Sequence, residues 1–182
     1  QEGLYQHYKK IADLVDIPQI LYNVPGRTSV DMQPETVLRL STHKNIVGIK
    51  EASGNKDRSL SLMKLCSQDM NIFTGDDKTS MSDIADGFSG NISVTANVAP
   101  LEMHQMCQSA LEGDIENASK LNSNLDILHD LLFCESNPIP VKWCLHKMGL
   151  IKKGIRLPLT WMDEKFNRPL TEGLIKSGVI DE

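Results

Sequence analysis

Lys50 is the residue of this sequence with the clearest potential for chemistry, because it closes the otherwise apolar segment "IVGIK". In a β-strand, side chains alternate between two faces, so Val47 and Ile49 share one face while Gly48 and Lys50 share the other. If helices cover the apolar face, Lys50 points the opposite way, beside a glycine that leaves room for a ligand. A lysine withdrawn from water has a lowered pKa, and its free amine can attack a carbonyl to form an imine.

Two residues of types that assist carbonyl chemistry precede this lysine. Tyr22 lies near the end of the preceding apolar segment, where a phenol can pass a proton to and from a bound carbonyl or alcohol. Arg27, in the loop that follows, can bind a substrate carboxylate through paired hydrogen bonds. Ordinary explanations exist for each: a core tyrosine, a solvated loop arginine, and a strand-end Lys50 paired with Glu51 or Asp76. Spacing alone leaves both interpretations open.

Metal ligands have little support in the sequence. Asp76 and Asp77 are adjacent, and adjacent side chains on a strand point apart, whereas hard cations need several convergent oxygen ligands. The five histidines show neither H-x-H nor H-E-x-x-H spacing. We therefore predict no metal site.

Four apolar segments, each followed by a helical pattern, must position these residues. Strands are predicted at 17–24, 45–52, 70–77 and 90–97, and the helices that follow them at 34–42, 56–67, 79–86 and 100–112. A further helical pattern opens the chain. Alternating strands and helices predict a parallel sheet in an α/β fold, in which the carboxyl ends of the strands meet at one edge. Those ends are rich in glycine and hydroxyl residues, as is typical of a pocket rim.

Strand patterns stop after the fourth of these units. Helices are predicted instead, at 115–133, 137–150 and 168–180. Asp114 is the expected N-cap of the first, and Gly178 is expected to end the last. The sequence therefore predicts an α/β domain at 1–112 and an all-helical domain at 113–182.

Composition excludes several classes of protein. The chain has 182 residues, a formal net charge of −5 and 40% hydrophobic residues, which is ordinary for a soluble globular protein. Its dispersed charges argue against a nucleic-acid partner, and no apolar run approaches the ~18 residues of a membrane span. The four cysteines form no C-x-x-C pair, which favours reduced thiols and a cytoplasmic location.

The order and spacing of the segments resemble the dihydrodipicolinate synthase family. "YNVPGRTS" is followed by "GIKEASG", whose lysine lies 28 residues after the tyrosine, and then by "TGDD" and "ISVTAN". The later "NPIPVKWCLHKMG" and "IRLPLT" are similar to the helical C-terminal region of that family. The resemblance covers essentially the whole chain, and the Y-x-V-P-x-R-T and G-I-K-E-A-x-G motifs are its most specific parts.

The resemblance implies a TIM (β/α)₈ barrel with a C-terminal helical domain, usually assembled as a homotetramer. It implies a lyase that condenses pyruvate with aspartate 4-semialdehyde in lysine (diaminopimelate) biosynthesis and needs no cofactor. Lys50 then forms the Schiff base with pyruvate, Tyr22 relays protons, and Arg27 binds the carboxylate of the semialdehyde. Gly75 and Ile92 match positions that line the pocket through backbone groups.

The number of strands departs from the family pattern. A complete barrel has eight strands in about 250 residues, whereas the four strands found here match its second half. The missing half of the family pattern carries a threonine pair that binds pyruvate, a second tyrosine that subunits exchange, and most of the lysine-inhibition site. We therefore expect a truncated or proteolysed form with exposed sheet edges and little activity alone.

Two other functions are weighed against this one. N-acetylneuraminate lyase and 2-keto-3-deoxy sugar-acid aldolases share the scaffold, the tyrosine and the Schiff-base lysine, but resemble this pattern without an arginine at position 27. A non-catalytic half barrel that serves as an assembly unit is the second. Such a unit has no use for Tyr22, Arg27 and Lys50 at these offsets, since function depends on the site rather than the fold.

Overall fold

The structure, a computed structural model, describes residues 1–181 and contains a four-stranded parallel sheet flanked by helices. The strands are β1 (Gln19–Asn23), β2 (Ile46–Glu51), β3 (Asn71–Thr74) and β4 (Gly90–Asn91). They lie side by side in chain order, and each neighbouring pair is parallel. The predicted α/β fold with four consecutive parallel βα units is confirmed.

Helices connect the strands and make up the rest of the regular structure. They are α1 (Glu2–Leu14), α2 (Pro25–Thr28), α3 (Pro34–Ser41), α4 (Lys56–Cys66), α5 (Ser80–Ala85), α6 (Pro100–Leu111), α7 (Ile115–Leu131), α8 (Ile139–Lys147) and α9 (Asn167–Lys176), with 3₁₀ turns at Thr95–Asn97 and Glu164–Phe166. Within residues 1–181, no helix is long and apolar enough to cross a membrane. All four cysteines are free thiols.

The chain divides into two compact units. The first, Gln1–Ile92, holds the whole sheet and helices α1 to α5. The second begins at Ser93 and contains helices only. The sequence analysis predicted a domain boundary after residue 112, which assigns α6 to the domain of the sheet. This predicted division into domains 1–112 and 113–182 stays a prediction.

The two faces of the sheet differ in burial, as the alternation of side chains predicted. Leu21, Ile49 and Ile72 lie side by side in register, and all three are buried. Ile20 and Tyr22, on the opposite face of β1, are 47% and 44% exposed. The apolar face of β2 therefore packs under the helices, and Lys50 belongs to the open face.

Several element boundaries differ from the predicted ones. β4 ends at Asn91, whereas the strand was predicted at 90–97. The backbone N–H of Ile92 still donates to the Thr74 carbonyl oxygen (2.9 Å), but the Ser93 hydroxyl then accepts from the Ala96 N–H (2.8 Å). Such local side-chain bonds offer the backbone an alternative to the sheet. The β-branched residues of this segment therefore enter a 3₁₀ turn.

Helix ends follow the predicted signals in most places. Pro34 is the first residue of α3, and the Asp114 carboxylate caps α7 by accepting from the Asn117 N–H (3.1 Å). Gly178 has φ +70°, the left-handed conformation that stops a helix, two residues after α9 ends. The short helix α2 was not predicted, and it places Arg27 in a helical turn within the segment that was predicted as a loop.

Candidate active site

Lys50 and Tyr22 lie next to each other at the carboxyl ends of two adjacent strands. They occupy equivalent positions in the register of β1 and β2, so their side chains leave the same face of the sheet. The Lys50 Nζ lies 4.4 Å from the centroid of the Tyr22 ring. This distance favours a cation–π contact when the amine is protonated, and it places the amine beside the phenol ring of Tyr22.

The surroundings of Lys50 lower the pKa of its amine. Partial burial is the largest cause, because it disfavours the charged ammonium form. The positive charge of Arg27 lowers the pKa further, whereas the negative charge of Asp77 raises it and only partly offsets the other two. The amine of Lys50 therefore releases its proton more readily than that of a solvent-exposed lysine. The structure also places Arg27 and Asp77 within electrostatic range of this amine.

Gly75, directly after β3, leaves the space that the Lys50 side chain occupies. A Cβ atom at this position would lie 2.6 Å from Lys50 Cε and 2.8 Å from Ala52 Cβ, both closer than real Cβ contacts allow. The backbone N–H of Gly75 donates to the Glu51 carbonyl oxygen (2.7 Å). The family resemblance implies that Gly75 lines the pocket through its backbone, and the geometry adds a steric reason for a glycine here.

The remaining predicted site residues lie at the same edge of the sheet. Ile92 follows β4 with a 39% exposed side chain, and its N–H continues the ladder to Thr74. Arg27 is exposed in α2. Since the N–H groups of Ile92 and Gly75 both bond within the sheet, the carbonyl oxygens are the backbone groups that these two residues can offer to a ligand.

The two aspartates after β3 have separate surroundings. Asp76 accepts from the Lys78 N–H (3.0 Å), while the buried Asp77 accepts from the Asn91 side-chain amide (2.9 Å). In the part of the chain that the structure describes, no three histidine, cysteine or acidic side chains group as a metal site would require.

A polar cluster on the other side of the sheet from Tyr22 and Lys50, with three of its four residues buried, was missed by the sequence reasoning. It consists of Asn23, Asp31, Glu51 and Arg58, and we call it the Arg58 cluster. Glu51 was considered only as an ion-pair partner of Lys50, but it bonds Arg58 Nε (2.8 Å) on the helix side of the sheet. Alternation along β2 already put Glu51 on the buried face, where a carboxylate needs a partner. This alternation could therefore have predicted that Glu51 has a buried polar partner.

Comparison with known proteins agrees with the motifs. Residues 1–176 match the model of the dihydrodipicolinate synthetase family. A 4-hydroxy-tetrahydrodipicolinate synthase of Pseudomonas syringae is 56% identical over 180 residues, which are 99% of this chain and 62% of that relative.

Solved structures extend the likeness to the fold. The chloride-inhibited dihydrodipicolinate synthase of Acinetobacter baumannii in complex with pyruvate is 51% identical, with a TM-score of 0.96 over 98% of this chain and 62% of that one. A monomeric dihydrodipicolinate synthase variant is 40% identical, with a TM-score of 0.95 over 98% of this chain and 61% of its own. The chain thus spans about three-fifths of the length of the relatives that it matches.

Proposed function

We propose that this chain, which belongs to the dihydrodipicolinate synthetase family, carries the imine-forming lysine of a 4-hydroxy-tetrahydrodipicolinate synthase. This lyase condenses pyruvate with aspartate 4-semialdehyde in the biosynthesis of lysine through diaminopimelate. The observation that carries the proposal is the partly buried Lys50 amine, with its lowered pKa, 4.4 Å from the Tyr22 ring at the carboxyl edge of the sheet. The pyruvate complex of the Acinetobacter baumannii relative supports pyruvate as the first substrate.

The first step is imine formation at Lys50. The unprotonated amine forms a C–N bond to the ketone carbon of pyruvate, and the carbonyl electron pair moves to oxygen. Tyr22 passes to that oxygen the proton that the attacking nitrogen releases and then gives it a second proton, and the oxygen leaves as water while the nitrogen electron pair forms the C=N bond. The product is a protonated imine between Lys50 and pyruvate. Burial serves this step, because it increases the fraction of amine that is free to attack near neutral pH.

The second step forms the carbon–carbon bond. The protonated imine withdraws electrons, so the pyruvate methyl group loses a proton and becomes an enamine. The enamine carbon attacks the aldehyde carbon of the semialdehyde, whose oxygen takes up a proton, while Arg27 binds the carboxylate. The amino group of the semialdehyde then displaces Lys50 and closes the ring. In the whole reaction one pyruvate and one semialdehyde give one product and one water, and Lys50 is regenerated.

We propose a homotetramer for the complete protein and the cytoplasm as its compartment, in keeping with the family resemblance. One of the solved relatives is a monomeric variant, and sedimentation of the complete protein distinguishes a tetramer from a monomer. The low activity of the isolated chain is likewise proposed, because the relatives supply two-fifths of their length beyond the matched part.

Trapping of the imine tests the proposal directly. The chain is incubated with pyruvate and sodium borohydride, digested, and analysed by peptide mass spectrometry. We expect one reduced pyruvate adduct on the peptide that contains Lys50, and none in Lys50→Arg. Lys44→Arg, which changes an exposed lysine, is the matched control and should keep the adduct.

A folded protein without an adduct, or with the adduct on another lysine, would contradict this assignment. A second assay uses a fusion of this chain with the remaining segment of the Pseudomonas syringae relative. In this assay aspartate 4-semialdehyde is supplied together with pyruvate. Consumption of aspartate 4-semialdehyde rather than cleavage of N-acetylneuraminate by this fusion is the expected result.

A further inference from the structure

We propose that the Arg58 cluster is a positioning device, which holds β1 and β2 so that Tyr22 and Lys50 meet in the observed geometry. Its four residues contact neither reactive group through their side chains, so they are positioning residues rather than catalytic ones. The proposal rests on the proposed function in so far as Tyr22 and Lys50 are the reactive pair.

The place of the cluster follows from the register of the two strands. Asn23 and Glu51 are the pair directly after Tyr22 and Lys50, and the two pairs point to opposite faces of the sheet. Both are 3% exposed. If the backbone of Asn23 shifts relative to that of Glu51, the backbones of the adjacent Tyr22 and Lys50 therefore shift relative to each other as well.

The side chain of Asn23 links the two strands. Its amide nitrogen donates to Glu51 Oε2 (3.2 Å) and to Asp31 Oδ1 (3.0 Å), while its oxygen accepts from the Met32 N–H (3.0 Å). These bonds supplement the backbone bond from the Ala52 N–H to the Asn23 carbonyl oxygen (2.9 Å). The ends of β1 and β2 are thus fixed to each other through side chains as well as through the ladder.

Arg58, in the first turn of α4, completes the cluster. Its Nε bonds Glu51 Oε2 (2.8 Å), its Nη1 lies 3.3 Å from Asp31 Oδ1, and its Nη2 donates to the Met32 carbonyl oxygen. Glu51 also accepts from the Ser53 N–H (2.7 Å). One guanidinium therefore joins a strand end, the segment after α2 and the start of a helix, with a planar fork that fixes direction as well as distance.

The charges make the cluster act as a unit. The buried Glu51 carboxylate and the more exposed Asp31 carboxylate share the buried Arg58 guanidinium, so removal of Glu51 or of Arg58 leaves a buried charge without compensation. The remaining groups then have to move toward water or toward new partners. Because Glu51 is adjacent to Lys50 along β2, this rearrangement reaches the amine through the backbone.

The position of the Lys50 amine over the Tyr22 ring gives a direct readout. All lysines are dimethylated with ¹³C-formaldehyde, and the methyl signal of Lys50 is identified by its loss in Lys50→Met. The ring current of Tyr22 should move this signal upfield, and Tyr22→Leu should abolish the effect. We expect Glu51→Gln, which keeps the shape of the side chain, and Asn23→Ala to lose at least half of the upfield shift.

Asn45→Ala is the matched control. Its amide bonds the Ala12 carbonyl oxygen (3.1 Å) at the opposite, amino end of β2, so the variant loses a bridging asparagine far from Lys50. We expect the full upfield shift there, at comparable loss of thermal stability. An unchanged shift in folded Glu51→Gln and Asn23→Ala, or an equal loss in Asn45→Ala, would overturn the proposal. If Asn23→Ala does not fold, Arg58→Lys takes its place, since it keeps the charge but loses the fork.

Imine trapping with pyruvate separates this proposal from the proposed function. A misplacement of about 1 Å can cost roughly a hundredfold in rate, so we expect Glu51→Gln to slow trapping roughly ten- to a hundredfold. An unchanged trapping rate in folded Glu51→Gln would overturn the positioning role. Absence of trapping in the wild type would contradict the proposed function, and the methyl signal would still decide the positioning role.

Discussion

The pKa of Lys50 links the chemistry of the site to the stability of the fold. In the folded protein, burial and Arg27 hold this pKa below the ordinary value of 10.5. The unfolded chain therefore binds the lysine proton more tightly than the folded chain does. Stability must then rise with pH across the range between the two pKa values, because the folded state no longer has to hold a desolvated charge.

The variant Lys50→Met tests this linkage, because it removes the titrating group. We expect the wild type to gain free energy of unfolding relative to Lys50→Met as pH rises from 7 toward 10.5, the ordinary pKa of a lysine. Urea unfolding at several pH values measures the difference. Lys10→Met, which changes an exposed lysine of α1, is the control. If the difference in unfolding free energy between the wild type and Lys50→Met varies with pH no more than the difference between the wild type and Lys10→Met, the prediction is wrong.

Gly75→Ala tests the steric relation between β3 and the reactive lysine. The new Cβ would overlap Lys50 Cε at 2.6 Å and Ala52 Cβ at 2.8 Å. The flexible lysine moves away at little cost, whereas Ala52 has to shift with its backbone, so we expect a folded protein of lower melting temperature, with borohydride trapping of pyruvate reduced roughly ten- to a hundredfold. Gly3→Ala, whose Cβ would meet nothing within 4 Å, should leave trapping unchanged. Equal trapping rates in the two variants would show that Gly75 has no such role.

Single residues were predictable from the sequence where their role depended on neighbours along the chain. Alternation in "IVGIK" was enough to place Lys50 on the face opposite Ile49. The partner of Glu51 was not predictable in this way, because it required the strand register and the rotation of α4 about its axis. Arg58 looks in sequence like any solvated helix arginine, and only the packing of α4 buries it.

Helix α4 carries Arg58, so its first turn matters at the scale of elements. The Asn55 side chain caps this turn by accepting from the Arg58 N–H (3.1 Å). We expect Asn55→Ala to cost about 1 kcal/mol of unfolding free energy, whereas Asn55→Asp keeps an acceptor and should cost far less. Thermal unfolding of both variants measures the difference. Equal losses in the two would mean that the cap contributes nothing.

Elements with a long and consistent pattern were predictable, and short ones were not. Helices α6 and α7 repeat their apolar residues over three to five turns, and Asp114 marks the start of α7 in the sequence. β4 has only two residues, and the β-branched segment after it suggested a strand that the local bonds of Ser93 replace. In α2, proline favours a first helical turn, but four residues are too few to show a period.

At the scale of the molecule, the open face of the sheet is the feature with the largest consequence. β1 and β4 are the edge strands. Between them lies a face with exposed Ile20, Tyr22 and Ile92. Unpaired edges together with exposed apolar side chains are the usual origin of association between copies of a chain.

We therefore expect the chain to associate as its concentration rises, and a charge on the open face to oppose this. Ile20→Glu places a carboxylate on that face without touching the helix side, so it should shift the sedimentation profile toward the monomer at the same concentration. Leu14→Glu alters an even more exposed apolar residue at the end of α1 and is the control. If both variants sediment like the wild type, the open face does not mediate association. If both shift equally, general surface charge is the cause, and only a selective effect of Ile20→Glu assigns the contact to the face that carries Tyr22 and Lys50.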